Sequence, residues 1–139
     1  MIVTDAKTKS RARTEPTVYV VEDDQAVRDS LCWLITTMDL PVLAFASTRE
    51  FLETVQPEQP GCAIIDVRLP GMNGLELQEE LNERSPDLPV IIITGHGTKE
   101  TASRAMAAGA LGYLEKPTDD EALMELVKKG IEKSVAKLV

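Results

Sequence analysis

Cys62-Ala-Ile-Ile-Asp-Val-Arg-Leu-Pro-Gly-Met-Asn-Gly74 is the stretch on which the fold turns. The apolar run Ala63–Ile65 ends on an acid, Asp66. A proline and two glycines then break the chain before a helical pattern opens at Leu75. Such a stretch predicts a buried strand that delivers one carboxylate to its carboxyl end, followed by a turn and a helix. In an open parallel sheet, ligand chemistry gathers in the crevice outside the strand carboxyl ends. The other strands decide what Asp66 does there.

Working toward the N-terminus, Thr17-Val-Tyr-Val-Val21 is a short β-branched strand ending in Glu22-Asp23-Asp24. Asp24 can cap a helix whose apolar stripe is Val27, Leu31, Leu34, Ile35 and Met38. Pro41-Val-Leu-Ala-Phe45 predicts a second strand, and a proline at its start suits an edge position. Ser47 and Glu50 have the spacing of a capping box for a short helix carrying Phe51, Leu52 and Val55. Residues 1–16 are polar and unpatterned and read as a disordered leader, with Lys7, Lys9, Arg11 and Arg13 among small residues.

Toward the C-terminus, a helix is expected from about Asn73 to Arg84, with Leu77 and Leu81 inward. Val90-Ile-Ile-Ile93 is the most continuous β-branched run, so it is assigned to the sheet centre, ending in Thr94. An alanine-rich helix from about Thr98 to Ala108 is closed by Gly109. Leu111-Gly-Tyr-Leu114 is a last strand leading to Lys116-Pro117. Thr118 and Glu121 then suggest a capping box for a final helix showing Leu123, Leu126, Val127 and Ile131. Whether that helix stops at Gly130 is left open by the sequence. Five strands alternating with five helices, joined by right-handed crossovers, make a doubly wound α/β sheet with helices on both faces.

Composition narrows the function classes. The 139 residues fit a single domain, expected to span residues 17–139. A net charge of −8 disfavours direct nucleic-acid or anionic-membrane binding, both of which need a basic face. No apolar run reaches the roughly 20 residues of a membrane span, and no signal-peptide core is visible, so a cytoplasmic location is expected. Cys32 and Cys62 sit in apolar segments without CxxC spacing and read as buried, reduced thiols.

The strand ends bring Glu22-Asp23-Asp24, Asp66, Thr94 and Lys116 to one edge, three or four carboxylates with one hydroxyl and one lysine. Taken singly, each has a plain structural explanation, as a helix start, a turn residue, a cap or a solvated lysine. Those explanations do not account for all of them falling at carboxyl ends. Clustered carboxylates repel unless a cation neutralises them. Oxygen-only ligands on loops suit Mg²⁺, which commonly also binds phosphate. A carboxylate can act as nucleophile and form an aspartyl phosphate. Three phosphoryl oxygens would then be covered by Mg²⁺, Lys116 and the Thr94 hydroxyl. No nucleotide cradle is visible, so the phosphodonor is expected to be another molecule.

These motifs together resemble the receiver domain of two-component response regulators. Those that match are Val20-Val-Glu-Asp-Asp24, Ile65-Asp-Val-Arg-Leu-Pro-Gly-Met-Asn-Gly74, Ile93-Thr-Gly-His-Gly97 and Tyr113-Leu-Glu-Lys-Pro117. The resemblance covers about Thr17 to Leu138, and the turn sequences are most similar to receivers of the nitrogen-fixation regulator type. It implies a flavodoxin-like five-stranded parallel sheet of order 2-1-3-4-5 and a phosphorelay switch that is not a metabolic enzyme. It further implies that Asp66 is the phosphoacceptor, that Asp23 ligates Mg²⁺ directly and Glu22 through water, and that the Arg68 backbone carbonyl completes the protein ligands. Lys116 and Thr94 would contact the phosphoryl group, and Tyr113 falls on an aromatic switch position whose other explanation is packing on the fourth helix. Arg68 and His96 occupy variable positions flanking the site, where a bulky cationic Arg68 would slow water attack.

The resemblance also implies partners. A histidine kinase would be the phosphodonor. A homodimer could form through the face of the fourth helix, fifth strand and fifth helix, and an output domain could belong to a longer regulator. Two departures from the family pattern stand out: Glu22 where aspartate is usual, and Thr118 where phenylalanine is common. Other classes fit less well. An aspartate-nucleophile phosphatase needs a second acid where Arg68 stands. A flavodoxin-like cofactor carrier would have its phosphate repelled by Glu22-Asp23-Asp24. A degenerate receiver would lack side chains that are all present here.

Overall fold

The structure, a computed structural model, describes residues 15–56 and 58–137. Residues 1–14 of the expected leader and the last two of the expected domain therefore lie outside the described residues. The strands are β1 (Thr17–Val21), β2 (Val42–Phe45), β3 (Gly61–Asp66), β4 (Val90–Thr94) and β5 (Gly112–Glu115). The helices between and after them are α1 (Gln25–Thr36), α2 (Thr48–Thr54), α3 (Gly74–Arg84), α4 (Lys99–Ala107) and α5 (Asp120–Ala136). All four strand pairings are parallel, in the order β2-β1-β3-β4-β5. The edge placement of the strand after Pro41 and the doubly wound architecture therefore agree with the sequence reading. No described helix is long and apolar enough to cross a membrane.

Alternation along the strands builds two cores. Tyr19, Val21, Ala63, Ile65, Val90 and Ile92 face one way and pack beneath α2, α3 and α4 through Phe51, Leu77, Leu81 and Ala105. Val18, Val20, Cys62, Ile64, Ile91 and Ile93 face the other way, against Leu31, Cys32 and Ile35 of α1 and Leu123 and Val127 of α5. Apolar residues at successive strand positions are what a sheet covered on both faces requires. The two cysteines are free and buried, and burial pushes the Cys32 thiol up to about 11 and Cys62 to about 12.

Some sequence expectations need correcting. The middle of the sheet is β3, and β4 lies one strand further out. Its unbroken apolar run reflects helices on both faces, which every interior strand shares. The final helix is capped by Asp119, whose side chain accepts the Ala122 N–H at 3.0 Å, so Thr118 stands one residue outside it. Only half of the Ser47 box forms: Ser47 accepts the Glu50 N–H, while the Glu50 carboxylate meets the Ser47 hydroxyl instead of its backbone. The helix α5 runs through Gly130 to Ala136, which answers the question the sequence left open. Gly130 is there for close packing. A Cβ at that position would stand 2.8 Å from Cys62 Sγ and 3.2 Å from Leu111.

A close backbone approach lies beside Asp66. The Gly74 N–H donates to the Val67 carbonyl at 2.8 Å, folding the segment between them into a closed turn. A Cβ on Gly74 would collide with the Asp66 carbonyl oxygen. Gly74→Ala is accordingly expected to lower stability by about 1–3 kcal/mol, the usual cost of overpacking a rigid site. Urea denaturation checks this, and an unchanged midpoint would show that the turn can yield.

Candidate functional site

Parallel register sets the strand ends side by side. Val21 pairs with Ile65, Asp66 with Ile93, and Thr94 with Glu115, so the residues just past these positions meet at one edge. Backbone bonds extend the alignment beyond the strands: Glu22 N–H to Phe45 O at 3.0 Å, Val67 N–H to Ile93 O at 2.9 Å, and Lys116 N–H to Thr94 O at 2.8 Å.

The side chains converge as the sequence predicts. Glu22, Asp23 and Asp66 each offer a carboxylate oxygen within 4.8 Å of the others. Glu22 and Asp66 are buried, whereas Asp23 is exposed. Lys116 Nζ lies between the two buried acids, 2.7 Å from Glu22 Oε1 and 3.3 Å from Asp66 Oδ2. Asp66 Oδ1, also buried, has no hydrogen-bond partner among the described residues. Asp24 does not join the cluster; it caps α1 by accepting the Val27 N–H at 3.1 Å.

The electrostatics follow from burial and from one ammonium facing two buried carboxylates. Burial raises the Glu22 carboxyl above its ordinary value; Lys116 and the Asp24 N–H pull it down without cancelling that rise, and the Asp66 charge adds to it. Burial works to lower Lys116, but its contacts with Glu22 and Asp66 outweigh this and hold the ammonium above its usual range. Lys116 is therefore a fixed positive charge, and the pocket retains an excess of negative charge around it.

The remaining predicted residues surround this cluster. Thr94 is buried at the end of β4, its hydroxyl accepting the His96 N–H at 3.2 Å. It does not cap the next helix; Thr98 does. Tyr113 points its hydroxyl to Thr101 Oγ1 at 2.8 Å, so it packs on the first turn of α4. Arg68 is exposed on the turn after Asp66 and belongs to the site by chain position.

One supporting residue escaped the sequence reading. Arg28 of α1 donates to the backbone carbonyls of Glu22 at 2.9 Å and Asp23 at 3.3 Å, bracing the turn that presents both acids. An arginine in the first turns of a helix carries no signal for that role.

The chain and its fold have counterparts among known proteins. The pattern of the response regulator receiver domain family matches residues 18–128. The chain belongs to that family. Transcriptional regulatory protein FixJ of Azorhizobium caulinodans is 44% identical over 117 residues, covering 84% of this chain and 56% of that protein. Among solved structures, response regulator StyR is 41% identical with a TM-score of 0.82, over 88% of this chain and 62% of that one. The beryllofluoride-activated NtrC4 receiver domain dimer is 30% identical with a TM-score of 0.79, over 85% and 98%. The chain spans little more than half the length of the curated relatives it matches. It is a receiver domain of the two-component type, a signalling unit of the kind that histidine kinases phosphorylate on aspartate.

Because Lys116 is the counter-charge for two buried acids in this receiver domain, Lys116→Met is expected to lower stability at pH 7.5 by about 2–3 kcal/mol. Without the ammonium, the folded-state pKa of Glu22 rises further above its unfolded value. The stability deficit is therefore present at high pH and shrinks as pH falls and Glu22 takes up its proton. Urea midpoints of both proteins at pH 7.5 and 5.5 check this; a deficit independent of pH would show that lost packing, not charge, is responsible.

Proposed function

We infer that Asp66 is the phosphoacceptor and that Mg²⁺ is the cation this receiver domain requires. The observation that carries the reading is Asp66 itself. It is a buried carboxylate with one oxygen against Lys116 and the other without a partner, beside two further acids. A buried, unpartnered carboxylate oxygen is costly unless something occupies the space beside it. An all-oxygen donor set matches Mg²⁺. Asp23 and Asp66 would ligate it directly, Glu22 through water, and Arg68 through its backbone carbonyl. When bound, Mg²⁺ supplies positive charge to the oxygens of the incoming phosphoryl group.

The chain's own residues do the rest. A carboxylate oxygen of Asp66 attacks phosphorus, and its new O–P bond forms as the donor's P–N bond to histidine breaks. Lys116 turns from its carboxylate partners toward the phosphoryl oxygens, and the Thr94 hydroxyl gives up the His96 N–H to donate to another. With Thr94 drawn inward, the Tyr113 ring can follow it and leave Thr101. Two arrangements of α4 and β5, separated by a few kcal/mol, suffice for such a switch.

Acetyl phosphate labelling tests the site. Wild type is expected to take up phosphate only with Mg²⁺ present, Asp66→Asn not at all, and Arg68→Asn to lose it faster, because a smaller neutral side chain leaves water a freer path. Labelling of Asp66→Asn at the wild-type level would refute the assignment.

The partners follow from the same site. A histidine kinase in the cytoplasm would supply the phosphoryl group, and an output module would accompany this domain in a regulator the length of its relatives. Of α4, only Ala105 is buried, and Met106 is half exposed, so the face formed by α4, β5 and α5 offers small and apolar groups to a second copy. The dimer of the beryllofluoride-activated NtrC4 receiver supports that reading. Sedimentation of this protein is expected to shift from monomer to dimer on adding beryllofluoride and Mg²⁺, and an unshifted profile would contradict dimerisation.

A further inference from the structure

The segment between Asp66 and α3 carries the backbone carbonyl proposed as a metal ligand, yet little holds it. Its amino end is tied by Val67 N–H to Ile93 O, and its two ends are tied together by Gly74 N–H to Val67 O. Leu69 is buried in the core beneath α2 and α3. Arg68, Pro70 and Gly71 are exposed, and Gly71 has φ +78°, a conformation glycine adopts freely. The turn thus has a soft joint three residues beyond Arg68.

Just past that joint, a side chain from another element takes hold. Thr48, the first residue of α2, is buried, and its hydroxyl donates to the Met72 carbonyl at 2.9 Å across 24 residues of sequence. Among the described residues it is the one side chain outside β3 and α3 that hydrogen-bonds this turn. A second strut, Arg84 Nη1 to Leu52 O at 3.3 Å, joins the far ends of α3 and α2. The short helix α2 is therefore coupled to the β3–α3 unit at both of its ends, and its amino end bears directly on the phosphoacceptor turn.

The geometry points to Thr48 as a positioning residue for phosphoryl acceptance, one that holds the turn so that the Arg68 carbonyl faces the acidic cluster. This rests on the reading of Arg68 and Asp66 given above. Thr48 touches neither metal nor phosphoryl group; it acts through Met72. Partners that orient a ligand from behind commonly matter tenfold or more for metal affinity. A hydroxyl is required because only a donor can engage the Met72 carbonyl. The methyl of threonine supplies packing, which valine would supply equally.

The test compares Thr48→Val, which keeps shape and removes the donor, with Thr48→Ser, which keeps the donor and removes the methyl. In metal-free protein, Thr48→Val is expected to speed amide hydrogen exchange of Arg68, Gly71 and Met72 by about tenfold, with β1 and β3 unaffected. By titration calorimetry its Mg²⁺ affinity is expected to fall about tenfold. In acetyl phosphate labelling, the Mg²⁺ concentration for half-maximal rate should rise by the same factor, while the rate at saturating Mg²⁺ stays near wild type. Thr48→Ser should behave as wild type in all three. Wild-type exchange and affinity in Thr48→Val would overturn the proposal, as would equal impairment in Thr48→Ser, which would assign the effect to packing. Failure of wild type itself to label would instead refute the phosphoacceptor reading, and the exchange comparison would still decide whether the tether holds the turn.

Discussion

The ion pair between Lys116 and Glu22, with Asp66 as its third member, is the contact on which this domain's chemistry depends. Glu22 is wholly buried and Asp66 nearly so, and two such acids side by side would otherwise repel each other in a medium that screens poorly. One lysine arriving from β5 makes the crevice tolerable without making it neutral. The residual negative charge and the free Asp66 oxygen are what fit the pocket to a small divalent cation on the proposed reading. A better-neutralised site would be more stable and less useful.

That contact depends on the sheet. Glu22, Asp66 and Lys116 come from segments 44 and 50 residues apart, and only parallel register brings β1, β3 and β5 to a common edge. The register is held from outside the strands as well. Arg28 grips the turn after β1, Gly74 lets α3 begin against the Asp66 carbonyl, and the Lys116 N–H extends the β4–β5 ladder past its last strand residue. Rigidity at these points confines the freedom of the site to the two loops that carry Arg68 and His96.

The helix α4 sits at the other extreme. It buries a single alanine, and polar side chains hold it where a hydrophobic stripe would normally do so. Gln78 donates to the Ala105 carbonyl and Asn82 to the Ala108 carbonyl, both at 2.9 Å, while Tyr113 bonds Thr101 in its first turn. Hydrogen bonds of this kind contribute about 1 kcal/mol each and can be exchanged for others, unlike a packed core. An element so attached is suited to moving when the charge at Asp66 changes.

Most of this molecule could be read from its residues. Alternating β-branched runs and helical stripes gave the order of elements, because each is a local pattern, and the acids at Glu22, Asp23 and Asp66 marked the edge where chemistry belongs. Local patterns also misled where neighbouring residues compete for one role. Asp119 outcompetes Thr118 as the cap because the chain's path sets which residue stands at the helix start. At Gly130 the sequence leaves a stop and a continued helix equally open, and it is a contact, because only the packing of α5 on Cys62 reveals the need for a missing side chain. What the tertiary structure alone decided is which partners meet across distance: that Lys116 sits closer to Glu22 than to Asp66, that Arg28 braces the acids, and that Thr48 reaches Met72. Those pairings are set by how helices settle on a twisted sheet, and no short stretch of sequence contains that information.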